Sequence, residues 1–482
     1  MKKPTATIIS YYVLAFAMLA VGCSAQPVNQ PDDSIDTVTD SEATTTAPAV
    51  EVRDFGGYEF NILVHTKGTP GSMYQHLDFG WSDENAGELI NDAVYARNLV
   101  IEERYNATIN SIEADDPYNM GKNAILAGTN EYDVIMPYID QSFTLAEEGL
   151  LVDFNELDGL DITNSWWDQA IKRDLSLRGR MYVLTGDISM ADEELNYGVY
   201  FNKGLIDEYS LDDPYQLVRD NKWTIDQLHS MAKSVTHDLN GDSIVDENDM
   251  YGVLTDYAVA PVWFFALGGQ MAGLKADGTP EILLGSERAS DIMDKLSGFF
   301  NDAEAVLNES KTKGSWTGFD QMLITNRALF RAGSIYDMPF YRDMENDFGV
   351  LPYPKLKSEQ DDYYHIIATQ VCAGICVPVG GEDLARTGLL LEALASESRD
   401  TVTKAYYDIN LYKKLTRDSE SGEMLDIIFA TKRYDLAKTF AWGGLEDVIR
   451  NGVKSGQNFT SLLAAAESRA NAEMMQSYEM FE

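Results

Sequence analysis

The sequence predicts an α/β protein built on mostly parallel sheets covered by helices. Two observations lead there. Strand-like and helix-like segments alternate from Tyr58 to Pro137. Alternation of this kind specifies a parallel sheet with helical crossovers. With 45% hydrophobic residues in 482, the chain can build a large core and two domains.

The elements follow in order. Lys2 and Lys3 precede a short apolar run over residues 8–19, and Ala20, Val21 and Gly22 stand directly before Cys23. This pattern reads as a secretion signal over residues 1–23. About a dozen apolar residues are too few to cross a hydrocarbon layer roughly 30 Å thick. Residues 24–50 are dominated by Ser, Thr, Asp, Ala, Gln and Pro. Such a segment cannot bury enough surface to offset its ordering entropy, so it reads as a flexible linker.

Beyond it, residues 58–65 (YEFNILVH) form a strand and residues 88–105 a helix, with Leu89, Ala93, Ala96 and Val100 on its apolar face. Strands follow at 107–113 and 132–137. In a parallel sheet, ligands sit beyond the carboxyl ends of the strands, which points to residues 65–71 and 138–141. Cys372 and Cys376 lie in an alternating apolar stretch that reads as a buried strand. Four residues along a strand separate α-carbons by roughly 13 Å, beyond disulfide reach, so both are expected as buried thiols.

A formal charge of −41 with no basic run longer than a pair such as Lys413 and Lys414 argues against nucleic acid, whose phosphates need clustered Lys and Arg. The scattered acidic residues read as a solvated exterior.

Several segments together resemble the large bacterial extracellular solute-binding proteins of carbohydrate importers. They are GELINDAVYARNLVIEERY, YDVIMPYIDQSFTLAEEGLLVDFNEL, GRMYVLTGD with LNYGVYFNKGLIDEY, KWTIDQLHSMAKSVT, FGVLPYPKL and TRDSESGEMLDIIFATKRYDLAKTFAW. The similarity runs from Asp54 onward. It implies a two-lobe, periplasmic-binding-protein-like α/β fold with hinge strands and a cleft. Lobe 1 is expected over 51–188 and 366–400, lobe 2 over 189–365 and 401–482, with hinges at 185–197 and 366–378. The implied function is capture of a sugar or oligosaccharide by lobe closure and delivery to an ABC permease, without catalysis and without a catalytic cofactor. The order of small residues and cysteine resembles a lipoprotein cleavage box. That implies a lipid on Cys23, a place on the outer face of the cell membrane, and a monomer.

Sugars offer hydroxyls and a flat apolar face, so their sites combine aromatic plates with fixed polar groups. Tyr138, Trp263, Tyr336, Trp442 and Trp81 are the candidate plates. By the resemblance, Tyr336 and Trp442 stand where stacking aromatics occur, and their alanine variants are expected to weaken binding with little loss of fold. Trp166, Trp167 and Trp223 read as packing. His65, Lys67, Asp140, Gln141 and Glu194, near strand ends or the hinge, are the candidate polar partners.

Residues 238–249 have the oxygen spacing of a calcium loop. Side chains of Asp238, Asn240, Asp242, Asp246 and Asp249 and the carbonyl of Ile244 fall at positions one, three, five, nine, twelve and seven. Ser243 takes the position usually given to glycine, and Asp249 is shorter than the usual glutamate.

The main rival class is a secreted glycoside hydrolase using Asp192, Glu193 or Glu194. The chain has no HExxH, GxSxG, GxGxxG or Walker motif. A receptor for another solute such as a peptide is the nearer alternative, and a structural adhesive lipoprotein would call for internal repeats, which are absent.

Overall fold

The computed structural model describes residues 50–68, 75–243, 245–308, 316–342, 344–407, 418–454 and 457–481. The expected signal with Cys23, linker residues 24–49 and Ile244 lie outside the described residues. Residues 50–482 form one compact unit.

Two sheets organise it. The first consists of β1 (Tyr58–His65), β2 (Ala107–Ala114) and β3 (Val134–Ile135), in the order β2-β1-β3, all parallel. In β1, Phe60, Ile62 and Val64 enter one apolar cluster while Leu63 enters another. Both faces are therefore covered, as a parallel sheet requires. Helices α1 (Leu89–Tyr105) and α2 (Pro117–Ala127) make the crossovers. Asn106 ends α1 in the left-handed conformation, and Asp116 caps α2, which has a proline in its first turn. α3 (Ile139–Glu147) follows β3, and α4 (Gln169–Leu175) comes after it.

The sheet is continued by bridges rather than by regular strands. Ile135 pairs with Cys376 and Leu184 with Ile375, both antiparallel. The Val183 side chain packs directly on the Gly374 backbone, where a β-carbon would lie 2.2 Å from Val183 Cγ2. Cys372 and Cys376 are free and buried, as expected. Burial pushes both thiols up, Cys376 to about 12.

The second sheet is mixed. Its order is Phe348–Leu351, β4 (Tyr197–Asn202), Ala328–Ser334, β5 (Tyr251–Thr255) and Val306–Asn308. β5 is parallel to both of its neighbours, whereas β4 is antiparallel to both of its own. β4 follows residues 185–196, which carry the chain from the first sheet to the second, with the short helix α5 (Ala191–Glu194) directly before it. Residues 367–373 make a second passage, after the two-residue strand His365–Ile366.

The apolar face expected for α1 is corrected. Ala96 is exposed and Leu89, Ala93 and Val100 are half-buried, while Ile90, Asn91, Val94, Arg97, Asn98, Ile101 and Tyr105 are buried. The buried stripe is displaced by one residue because it includes polar side chains with internal partners. Arg97 donates to the Asp78 carbonyl at 2.6 Å and to Ser398 Oγ at 3.1 Å, and Asn98 donates to the Phe79 carbonyl at 2.8 Å. A search for apolar periodicity does not register buried polar groups that are satisfied.

The helix Phe459–Met480 is clamped against residues far back in the chain. Arg178 lies over the Tyr478 ring at 3.9 Å and donates to its carbonyl at 2.7 Å. Arg180 donates to the Phe481 carbonyl at 3.2 Å, and Ser477 Oγ donates to Glu147 Oε1 at 2.6 Å.

Candidate functional site

Beyond the carboxyl ends of β1 and β3 lies a cleft of about 620 Å³, lined among others by His65, Lys67, Asn119, Tyr138 and Gln141. Four of these five were expected from sequence. Asn119, in the first turn of α2, was not, because its side chain reads as a helix-start hydrogen-bonder. It does donate to Asp116, at 2.5 Å.

His65 is the last residue of β1 and only 3% exposed. Its ring stacks on Tyr138 with centroids 4.4 Å apart and 15° between planes. Neither ring nitrogen has a hydrogen-bond partner among the described residues. Burial pulls the imidazole down to about 4, against a smaller opposing effect of Asp116, so the ring is neutral through the physiological range. It can then offer one donor and one acceptor. Tyr138 directly precedes α3, and Gln141 Oε1 accepts its N–H at 3.2 Å.

Asp140 turns elsewhere. Burial pushes its carboxyl up, while the Gln141 N–H at 2.7 Å and the Lys438 charge pull it down. Lys438 is buried and donates to Gln370 Oε1 at 2.9 Å and to Glu446 Oε1 at 3.1 Å. Arg450 reaches the other Glu446 oxygen at 2.9 Å. This polar group joins α3, the second passage and the late helices. The sequence reading missed it, since a lysine eight residues from a glutamate carries no motif.

The aromatic expectations divide. Tyr336, after the strand Ala328–Ser334, is half-buried and meets Phe340 edge-on at 5.8 Å. Burial raises its phenol, and the Glu194 charge adds to that, which brings Tyr336 and Glu194 into one neighbourhood. Neither residue lines the His65 cleft. Trp81 is 45% exposed and packs edge-on against Tyr95 at 4.5 Å, away from the other candidates.

Trp263 and Trp442 are corrected. Both rings are fully buried. Trp263 Nε1 donates to Thr255 Oγ1 at 3.1 Å among Phe299, Phe300 and Tyr353. Trp442 stacks on Phe440 at 5.2 Å, and its Nε1 donates to Ser477 Oγ at 3.0 Å. A glycine pair beside a tryptophan reads as an open platform in sequence. Here Gly443 instead lets the helix Phe459–Met480 pack close, since a β-carbon there would lie 2.5 Å from that of Ala470. Trp166, Trp167 and Trp223 are core residues, as expected.

Among the described residues, no three His, Cys, Asp or Glu side chains are grouped to hold a metal. In the loop 238–249 the acidic groups accept main-chain N–H donors instead. Asp238 takes those of Gly241 and Ser243 at 2.6 and 2.7 Å, and Asn240 Oδ1 that of Asp242 at 2.8 Å. The buried Asp249 takes those of Leu239 and Asp246 at 3.0 and 2.8 Å. Ser243 adopts φ +68°, so the turn that glycine usually makes forms without it.

A second cavity of about 410 Å³ is lined by Asp174, Arg288, Tyr364 and Arg433 among others and contains none of the expected site residues.

Comparison with known proteins places the fold. The family model described as bacterial extracellular solute-binding protein matches residues 87–279. No curated protein matches the chain. An ABC substrate-binding protein from Listeria monocytogenes in complex with cycloalternan is 14% identical, with 87% of this chain and 99% of that one covered and a TM-score of 0.55. The maltose-binding periplasmic protein of the same organism, in complex with maltose, is 14% identical over 87% and 98%, with a TM-score of 0.57. The cyclic alpha-maltosyl-1,6-maltose binding protein of Arthrobacter globiformis is 14% identical over 87% and 99%, with a TM-score of 0.56. The chain thus has the two-lobe fold of these solute-binding proteins, and residues 87–279 carry a similarity to the bacterial extracellular solute-binding protein family.

Proposed function

We propose that this protein is the extracytoplasmic receptor of an ABC importer and that it captures a sugar or oligosaccharide for a membrane permease. One observation carries the reading: a buried, neutral imidazole whose two nitrogens have no partner among the described residues, stacked on Tyr138, lines a cleft beyond the strand ends. A buried polar group without a partner is costly, and a hydroxyl-bearing solute supplies what it lacks. Amides and an ammonium from Asn119, Gln141 and Lys67 stand beside it.

Mass spectrometry of solute released from the purified protein, followed by thermal shift with a saccharide panel, tests this. At a hundred times its dissociation constant a true ligand stabilises the fold by about 2.7 kcal/mol. Tyr138→Ala and His65→Phe are expected to weaken binding about ten- to hundredfold, roughly 1.4–2.8 kcal/mol, with near-normal unfolding. Unchanged affinity in both would remove the site. Asp192 and Glu193, two of the three carboxylates of the hydrolase alternative, are bonded to Lys432 at 2.5 and 3.0 Å, which supports a structural use for them. Lack of product from chromogenic glycosides is the expected outcome.

The receptor is anchored by a lipid on Cys23 after removal of residues 1–22, and acts as a monomer. Cys23→Ala is expected to release it from membranes on fractionation. The loop 238–249 binds calcium weakly as a structural ion, its oxygens turning from their own N–H groups to the cation. Millimolar calcium is then expected to raise the unfolding temperature and chelator to lower it; indifference to both would dismiss the ion.

A further inference from the structure

Residues 185–196, the first passage between the sheets, are held on several sides. Arg399 Nε donates to Asp187 Oδ2 at 2.9 Å and Thr403 Oγ1 to the Asp187 carbonyl at 3.1 Å, both from a π-helical turn after the helix Leu384–Ser398. Asp78 accepts from Ser189 Oγ at 2.6 Å and from the Met190 N–H at 3.3 Å. Asp192 and Glu193 belong to Lys432. Its Nζ lies 2.5 Å from Asp192 Oδ2, 3.0 Å from Glu193 Oε1 and 3.8 Å from Asp168 Oδ2. Lys432 also pairs in parallel with His365, directly before the second passage. Its side chain therefore holds the first connection, while its backbone lies beside the strand that leads into the second.

We propose that Lys432 is the positioning residue of the lobe crossing, fixing the angle at which the two sheet-bearing halves meet and thereby the affinity of the cleft. Only the consequence for affinity rests on the receptor reading. Asp168 is anchored on the side of the first sheet: the neighbouring Trp167 shares the apolar cluster of Phe60, Ile62 and Val64 and pairs with Gly186 at the start of the passage, and Asp168 Oδ1 accepts the Ala170 N–H at 2.7 Å. Asp192 and Glu193 lie in α5, which leads straight into β4. Rotation of one half against the other alters the 3.8 Å separation while the two short bonds persist, so the lysine travels with α5 and registers where Asp168 is.

The site makes that sensitivity large. Three carboxylates face one ammonium in a buried space, and Asp78 and Asp187 lie near enough to Asp192 for its charge to raise their carboxyls further. Tyr434 Oη donates to Asp168 and Tyr407 Oη to Glu193, each at 2.9 Å. Asp192 Oδ1 has no partner among the described residues, and burial, with Glu193 beside it, raises that carboxyl. A buried pair broken on one side leaves an uncompensated charge, unlike an exposed pair.

Hydrogen exchange on the full chain at neutral pH tests the assignment without any solute. Lys432→Gln is expected to speed exchange at least about tenfold in residues 185–196 and 367–373, with β1 and Ala328–Ser334 unchanged, because local opening reports local stability. The Asp192→Asn/Lys432→Gln double variant removes one uncompensated carboxylate and is expected to recover part of the protection. Unaltered exchange in the passages, or a uniform rise along the chain, overturns the proposal. Should Lys432→Gln not fold, Asp168→Asn keeps the lysine and its two short bonds; faster exchange confined to the passages supports the proposal, and wild-type exchange overturns it. Failure to find a saccharide ligand would sink the receptor reading and leave these exchange results standing.

Discussion

Trp442→Ala is expected to lower the stability of the fold by about 3–5 kcal/mol, the range for removing a large buried aromatic, rather than to weaken solute binding. The ring is 1% exposed and stacked on Phe440. Its N–H feeds Ser477, which in turn donates to Glu147. Alanine leaves a cavity and removes the donor from a chain of hydrogen bonds joining the helix Phe459–Met480 to α3. Denaturant unfolding checks the size, and isothermal titration with the identified solute checks the rest. A variant with the wild-type unfolding midpoint and reduced affinity would return Trp442 to the binding surface.

Arg97→Met carries an effect of similar size, about 3–5 kcal/mol, because it breaks a buried charged contact from one side. The guanidinium ties α1 to the segment at Asp78 and to Ser398. Its loss also changes the response to pH. Burial already pushes the Asp78 carboxyl up to about 7, with Ser189, Met190 and then Arg97 pulling it down less strongly. The folded state thus holds the Asp78 proton more tightly than the unfolded chain. Its contribution is complete below the ordinary carboxylate range and is lost as pH rises through about 7. Without Arg97 the ionised carboxylate is disfavoured further. The deficit of Arg97→Met is therefore expected to be larger at pH 8 than at pH 5, and a deficit independent of pH would count against the pairing.

Much of the first sheet was legible because strand-like and helix-like segments alternate along residues 58–137, as a parallel sheet with helical crossovers requires. YEFNILVH matches β1 residue for residue, and the helix after it begins one position late. The region 132–137 was harder: regular pairing covers only Val134–Ile135, because the next partner, around Cys376, joins through single bridges. The antiparallel entry of β4 was not legible, since strand direction depends on where the preceding passage leaves the chain. In the site, position along a strand was informative and residue type was not. His65, Lys67, Tyr138 and Gln141 follow strand ends and share a cleft. Trp263 and Trp442, chosen for aromatic character beside glycines, are core. Lys438, Glu446 and Gln370 escaped notice because their meeting is made entirely by tertiary packing.

The clamp on Arg178 and Arg180 also bears on the order of assembly. Tyr478 and Phe481, which satisfy it, lie 300 and 301 positions downstream, and Ser477 reaches Glu147 across 330. Contacts so distant in sequence form late and slow the search for the native state. As the polypeptide is synthesised, its early half must wait with that corner unfinished until residues 477–481 exist.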